Sequence, residues 1–194
     1  MNRPSWVMGL PHNRPTRRSV RLRGYDYTRA GAYFLTICTE DRAMSLGIVG
    51  NDSVVLNTLG QVVADSWLWL ARQYDYVELD EWIIMPNHLH GIVVVGREDA
   101  GGSRTAPTAI PDVERKSIGR VVGAFKTVST KHVNRIKGTP GATPWQRNYY
   151  EHVIRDDDEL NRVRLYIQCN PARWAMDREN PSGIVPVPVD GDCL

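Results

Sequence analysis

The spacing of apolar and polar positions divides the chain into short strands and amphipathic helices. Residues 33–39 read Tyr-Phe-Leu-Thr-Ile-Cys-Thr, aromatic and β-branched throughout, which predicts a strand. A hairpin is predicted next, with Gly50-Asn51-Asp52 as the turn between residues 46–49 and 54–56. Asn57 then offers a helix N-cap. Leu59, Val63, Trp67, Leu70 and Tyr74 recur at intervals of three and four, so a helix with one apolar stripe should run to about Tyr74.

Residues 76–85 predict another strand, ending in Ile83-Ile84-Met85, and residues 88–95 the one after it. Only Pro86-Asn87 separates them, which favours an antiparallel hairpin. Residues 96–111 are rich in Gly, Ser, Thr, Ala and Pro and predict an exposed, mobile loop. A helix is predicted over 117–137, with Ile118, Val122, Phe125, Val128 and His132 along one side and Gly138 as its stop. Residues 145–154 are aromatic and predict another strand. Asp156-Asp157-Asp158-Glu159 open a last helix, where acids complement the dipole. The alternation 185–189 of Val and Pro cannot be a central strand.

This succession fits an α+β sandwich, one mostly antiparallel sheet of about five strands with helices packed on it. Residues 1–24 read as a flexible basic arm, 25–174 as a single domain, and 175–194 as a loose Pro- and Gly-rich tail.

Composition narrows the class. The 194 residues are 42% hydrophobic and 24% charged, as in a globular protein. No apolar run approaches the ~18 residues of a membrane span, and the arginine-rich N-terminus lacks the apolar stretch of a secretory signal. A soluble, cytoplasmic protein is expected. Cys38, Cys169 and Cys193 are scattered and odd in number, which suggests neither a disulfide framework nor a zinc ribbon, and Cys38 reads as a small buried residue. The net charge of +2 hides two one-sided blocks. Arg3, Arg14, Arg17, Arg18, Arg21 and Arg23 occur without an acid, as do Arg120, Lys126, Lys131, Arg135 and Lys137. Such blocks suit a phosphate-binding surface, or are simply solvated faces.

Three groups carry candidate chemistry. Residues two apart on a strand share a face, so His88 and His90 project together and can hold one divalent cation, with Gly91 leaving room beside them. Two histidines on a strand can also be purely structural. On the last helix Arg162, Tyr166 and Asn170 share a face, while Leu160, Val163 and Ile167 form the stripe that anchors it. A tyrosine so placed is ordinarily a boundary residue with a satisfied hydroxyl. Trp145-Gln146-Arg147-Asn148-Tyr149-Tyr150-Glu151-His152 mixes aromatics with a cation and a histidine, as nucleic-acid binders do, although ordinary packing accounts for at least one of Tyr149 and Tyr150.

Taken in order, Pro86-Asn87-His88-Leu89-His90-Gly91, the run from Trp145 to Arg155, and Tyr166-Ile167-Gln168-Cys169-Asn170-Pro171 resemble the REP-associated tyrosine transposases. These are single-tyrosine HUH transposases, named for two histidines around a hydrophobic residue. Arg23-Gly24-Tyr25-Asp26-Tyr27 and the first strand fit the same pattern, so the resemblance covers about residues 17–174. It implies a ferredoxin-like fold with the histidine strand central, Tyr166 as nucleophile and Asn170 as third metal ligand. The implied substrate is single-stranded DNA carrying a small palindromic hairpin, cleaved and rejoined through a 5′-phosphotyrosine, with Mg2+ or Mn2+ as cofactor and a monomer as the acting form. His152 and Arg162 are candidates to assist catalysis. Arg17, Arg18, Arg21, Arg23, Arg120, Lys126, Lys131, Arg147 and Tyr149 are candidates to hold the DNA. The rival readings are a domesticated, non-catalytic hairpin-binding protein, a metallohydrolase using the same histidines without Tyr166, and a replication initiator or relaxase.

Overall fold

The structure, a computed structural model, describes residues 30–96, 116–177 and 179–182. Arg17, Arg18, Arg21 and Arg23 of the expected arm, and the expected loop beyond Gly96, lie outside the described residues. The elements are β1 (Gly31–Cys38), β2 (Gly47–Gly50), β3 (Ser53–Leu56), α1 (Thr58–Gln73), β4 (Val77–Met85), β5 (His88–Val95), α2 (Ile118–Lys137), β6 (Tyr150–Ile154) and α3 (Asp157–Gln168), with short 3-10 turns at Glu40–Arg42 and Pro171–Met176. No helix among the described residues is long and apolar enough to cross a membrane.

Four strands form one antiparallel sheet in the order β4-β5-β1-β6, and β2 and β3 form a separate ribbon. The succession β1, α1, β4, β5, α2, β6 in that order is the ferredoxin-like arrangement, with β5 and β1 central. Among the described residues the sheet therefore has four strands, against the expected five or so, because β2 and β3 pair with each other in a ribbon of their own. Asn51 and Asp52 both take positive φ, 51° and 56°, which gives their turn the twist a tight hairpin requires.

Alternation along the strands decides which helices meet which residues. Tyr33, Leu35, Ile37, Leu89 and Val93 face α1 and α2, where Val63, Trp67, Leu70, Val121, Val122 and Phe125 complete the larger core. Phe34 and Ile92 face the other way, against Val163 and Ile167 of α3. Gly91 belongs to the first face: a Cβ there would lie 2.6 Å from the Trp67 ring. Its missing side chain makes room for that indole, not for a cation beside the histidines.

Helix starts follow from their caps. Asn57 Oδ1 accepts from the N–H groups of Leu59 and Gly60, and Asp156 accepts from Glu159 N at the start of α3. Gly138, at φ 63°, ends α2 in the left-handed conformation. The buried stripe of α2 is Ile118, Val121, Val122, Phe125, Ser129 and Val133, so Val128 and His132 sit at its margin.

Strand β6 starts at Tyr150 rather than Trp145. Trp145 makes an isolated bridge to Thr39 and donates from Nε1 to Ser129 Oγ at 2.9 Å. The intervening loop is drawn to α2 instead, where Lys126 Nζ donates to the carbonyls of Gln146, Arg147 and Asn148 at 2.7, 3.2 and 3.3 Å. Asp177 and Glu179, expected within a loose tail, lie instead over the sheet face that carries α3, where Glu179 is fastened to Asn87 and Arg42.

Candidate active site

His88 and His90 lie on β5, hydrogen-bonded to strands on both sides, which leaves their positions little freedom. They share the α3 face, with ring centroids 4.4 Å apart. Both are buried, at 0% and 3% exposure. The Asn87 carboxamide sets the His88 tautomer. Its Nδ2 donates to the backbone carbonyls of Arg42 and Glu179, so its Oδ1 is the group that faces His88 Nδ1 at 2.9 Å. Nδ1 therefore donates, and the Nε2 lone pair is left without a partner. His90 Nδ1 meets Thr36 Oγ1 at 2.9 Å, and its Nε2 points toward α3.

Burial pushes both imidazoles well below their ordinary pKa. For His88 the neighbouring His90 and Arg42 push the same way, and for His90 the Asp177 carboxylate pushes back. Both rings are thus neutral near neutral pH, the form in which imidazole binds metals.

Tyr166 comes to the same place from α3. Val163 and Ile167 seat the helix on Phe34 and Ile92, and Tyr166, half-buried at the edge of that stripe, packs edge-on to Phe34 at 5.9 Å. Its hydroxyl lies 3.4 Å from His90 Nε2. The helix ends at Gln168, but Asn170 continues with helical φ and ψ, so it stays below Tyr166. Asn170 is 2% exposed, donates from Nδ2 to Asp177 Oδ2 at 3.0 Å, and keeps an unpartnered Oδ1. A carboxylate oxygen of Asp177 and one nitrogen of each imidazole lie within 4.8 Å of one another. Two imidazoles with carboxamide and carboxylate oxygens suit a divalent first-row cation. Asp177 is the site residue that the sequence did not reveal, because it lies in the segment read as a loose tail.

Cys38, expected as simple packing, borders this site opposite His88 in register. Its Sγ donates to Glu179 at 3.4 Å, and burial together with that carboxylate pushes the thiol up to about 12. The Trp174 ring lies 5.9 Å from that of His88.

Other candidates fall elsewhere. His152 pairs with Phe34 rather than with the row of His90, and its Nε2 is 2.7 Å from Glu159 Oε1. Tyr149 packs against the α1–α2 core and donates to Glu151 at 2.8 Å. It is Tyr150 that faces the site, through Thr36, which pairs with both Tyr150 and His90. Lys126, expected at phosphate, has its ammonium among three carbonyls and over the Tyr149 ring, and burial lowers its pKa to about 8. Arg120 and Lys131 are exposed on α2, across the sheet from the histidines. Arg147 is exposed in the loop before β6, and Arg162 is exposed on α3.

No family model matches the chain. An uncharacterised Haemophilus influenzae protein is 38% identical over 168 residues, covering 84% of this chain and 92% of its own length. A second Haemophilus influenzae protein, provisionally named a REP-associated tyrosine transposase, is 24% identical over 157 residues, or 76% of this chain and 74% of its own. The chain is thus similar in sequence, over about three quarters of its length, to a protein carrying the REP-associated tyrosine transposase name. A solved REP-associated tyrosine transposase bound to a REP hairpin shares the fold, with a TM-score of 0.51 and 20% identity over 81% of this chain and 74% of its own. In this protein the histidine pair of β5 and the tyrosine of α3 meet on one sheet face of a single chain.

Proposed function

We propose that the protein cleaves and rejoins single-stranded DNA through a 5′-phosphotyrosine link, with Tyr166 as nucleophile and Mg2+ or Mn2+ held by His88, His90 and Asn170. The observation that carries this reading is the Tyr166 hydroxyl at 3.4 Å from His90 Nε2, beside the unpartnered acceptors His88 Nε2 and Asn170 Oδ1. A bound cation would supply Lewis-acid stabilisation to a non-bridging phosphate oxygen.

The chain's own residues do the rest. Helix α3 presents the Tyr166 oxygen to the scissile phosphorus. As the new P–O bond forms, the bond to the 3′-oxygen breaks, and that oxygen leaves as a 3′-hydroxyl after taking a proton from water. The phenol must lose its own proton, and an ordinary phenol ionises only near pH ~10, so a positioned acceptor matters. Phe34 and the buried histidines exclude water from one side of the ring. The product keeps one phosphodiester, so attack by a 3′-hydroxyl of another strand reverses the step without ATP. Because one chain supplies both histidines and tyrosine, the monomer is the proposed acting form. A hairpin substrate is supported by the hairpin bound to the solved relative.

The test incubates the protein with MnCl2 and 3′-labelled hairpin-bearing single strands drawn from DNA flanking its own gene. A labelled protein band that survives denaturation is expected. Tyr166→Phe should abolish the band and retain hairpin binding. An adduct formed by the phenylalanine variant sinks the assignment.

A further inference from the structure

Asn170 divides its carboxamide between two tasks. Nδ2 donates to Asp177 Oδ2 at 3.0 Å, and Oδ1 is left buried without a partner. The same donation holds the Asp177 carboxylate toward the histidines, with ligand atoms of the three residues within 4.8 Å of one another. Asp177 is fixed from its other side too: Oδ1 accepts from Glu179 N at 2.7 Å. Glu179 is itself tied down, its carboxylate taking Arg42 Nε at 3.0 Å and its carbonyl taking Asn87 Nδ2. Asn87 is the residue that orients His88, so one carboxamide fastens the returning segment and aims the imidazole.

What converges here is a set of acceptors. The His88 nitrogen and the Asn170 oxygen are both orphaned at more than nine-tenths burial, and a carboxylate lies next to them. Buried acceptors without donors are costly unless a cation or water satisfies them, and imidazoles with a carboxylate favour a cation.

We infer that Asp177 is a further protein ligand of the cation, aimed by Asn170, so that the protein takes up its metal before DNA arrives. This rests on the proposed cation site and extends it. Asp177 adds the only formal negative charge to a donor set of two imidazoles and a carboxamide. The segment from Asn170 to Asp177 thereby becomes part of the metal centre.

The test titrates MnCl2 into the full chain without DNA and reads free Mn2+ by electron paramagnetic resonance. Wild type is expected to bind Mn2+, and His88→Ala/His90→Ala to lose binding. Asp177→Asn should weaken binding by about tenfold or more, and Asp177→Glu, which keeps the charge, should recover much of it. Unchanged Mn2+ affinity in Asp177→Asn, with binding lost in the double histidine variant, overturns the ligand role and leaves the histidine site standing. Unchanged binding in the double histidine variant removes the site itself. Thermal melts separate ligand from scaffold: Mn2+ should raise the Tm of wild type more than that of Asp177→Asn. A variant that melts lower in EDTA yet gains as much from Mn2+ as wild type also overturns the inference.

Discussion

Arg164 on α3 clamps Asp80 of β4, with Nε 2.8 Å from Oδ1 and a second contact between the outer nitrogen and Oδ2. Asp80 lies in the irregularity of β4 between Leu79 and Trp82, and Gln168 of the same helix reaches Glu81 at 2.9 Å. The irregular register turns two side chains of an edge strand toward the helix that carries Tyr166. The arginine holds the Asp80 carboxyl below its ordinary range.

Arg164→Ala is therefore expected to act more on rate than on stability. The pair is partly exposed, so solvent screening limits its contribution to about 1 kcal/mol or less. A small displacement of a nucleophile, by contrast, can cost on the order of a hundredfold in rate. Urea melts beside single-turnover adduct formation check this. A loss of rate no larger than the loss of stability accounts for would show that the clamp does not position Tyr166.

Acid should destabilise the fold through the two buried histidines. Their folded pKa values lie below the ordinary 6.5, so the unfolded chain binds protons more readily as pH falls below that value. Stability is fully present above about pH 6.5 and declines as pH falls toward the lowered folded values, by roughly 1 kcal/mol per imidazole between about pH 7 and pH 5.5. Other lowered groups act later. Asp80, held down chiefly by Arg164, and Glu159, where bonds from the Arg155 amide and His152 outweigh burial, lose their contributions only below their own ordinary values of 3.8 and 4.5. Urea midpoints in EDTA at the two pH values, for wild type and His90→Gln, test this. A variant as acid-sensitive as wild type would assign the loss elsewhere.

Lys126 should prove to be a loop fastener rather than a phosphate contact. Lys126→Met leaves the carbonyls of Gln146, Arg147 and Asn148 without that donor, which costs about 1–3 kcal/mol. The salt dependence of hairpin binding should stay unchanged, because the ammonium is already engaged within the protein. Parallel melts and binding isotherms over a range of salt decide it, and a flatter salt slope in Lys126→Met would return the residue to the DNA track.

Much of the local architecture was legible in the sequence because it depends on near neighbours. Strand periodicity placed His88 and His90 on one face, helical periodicity placed Val163 and Ile167 on the anchoring stripe with Tyr166 and Asn170 together on another face, and Asn57, Asp156 and Gly138 marked helix ends. These follow from backbone geometry and short-range hydrogen bonds, which the order of residues alone specifies.

Only the tertiary structure decided which layer each face meets. Alternation separates Tyr149 from Tyr150 and His90 from Gly91, but it does not say which parity lies under α3 and which under α1 and α2. That choice comes from burying the larger apolar set against two helices, which sends Trp67 over Gly91 and leaves the histidines to the Tyr166 side. Tertiary burial likewise drew Lys126 into the carbonyls of the loop before β6 and desolvated both imidazoles. It also brought Asp177 to the site through a carboxamide seven residues earlier in the chain, a contact that exists only once the segment after α3 has folded back.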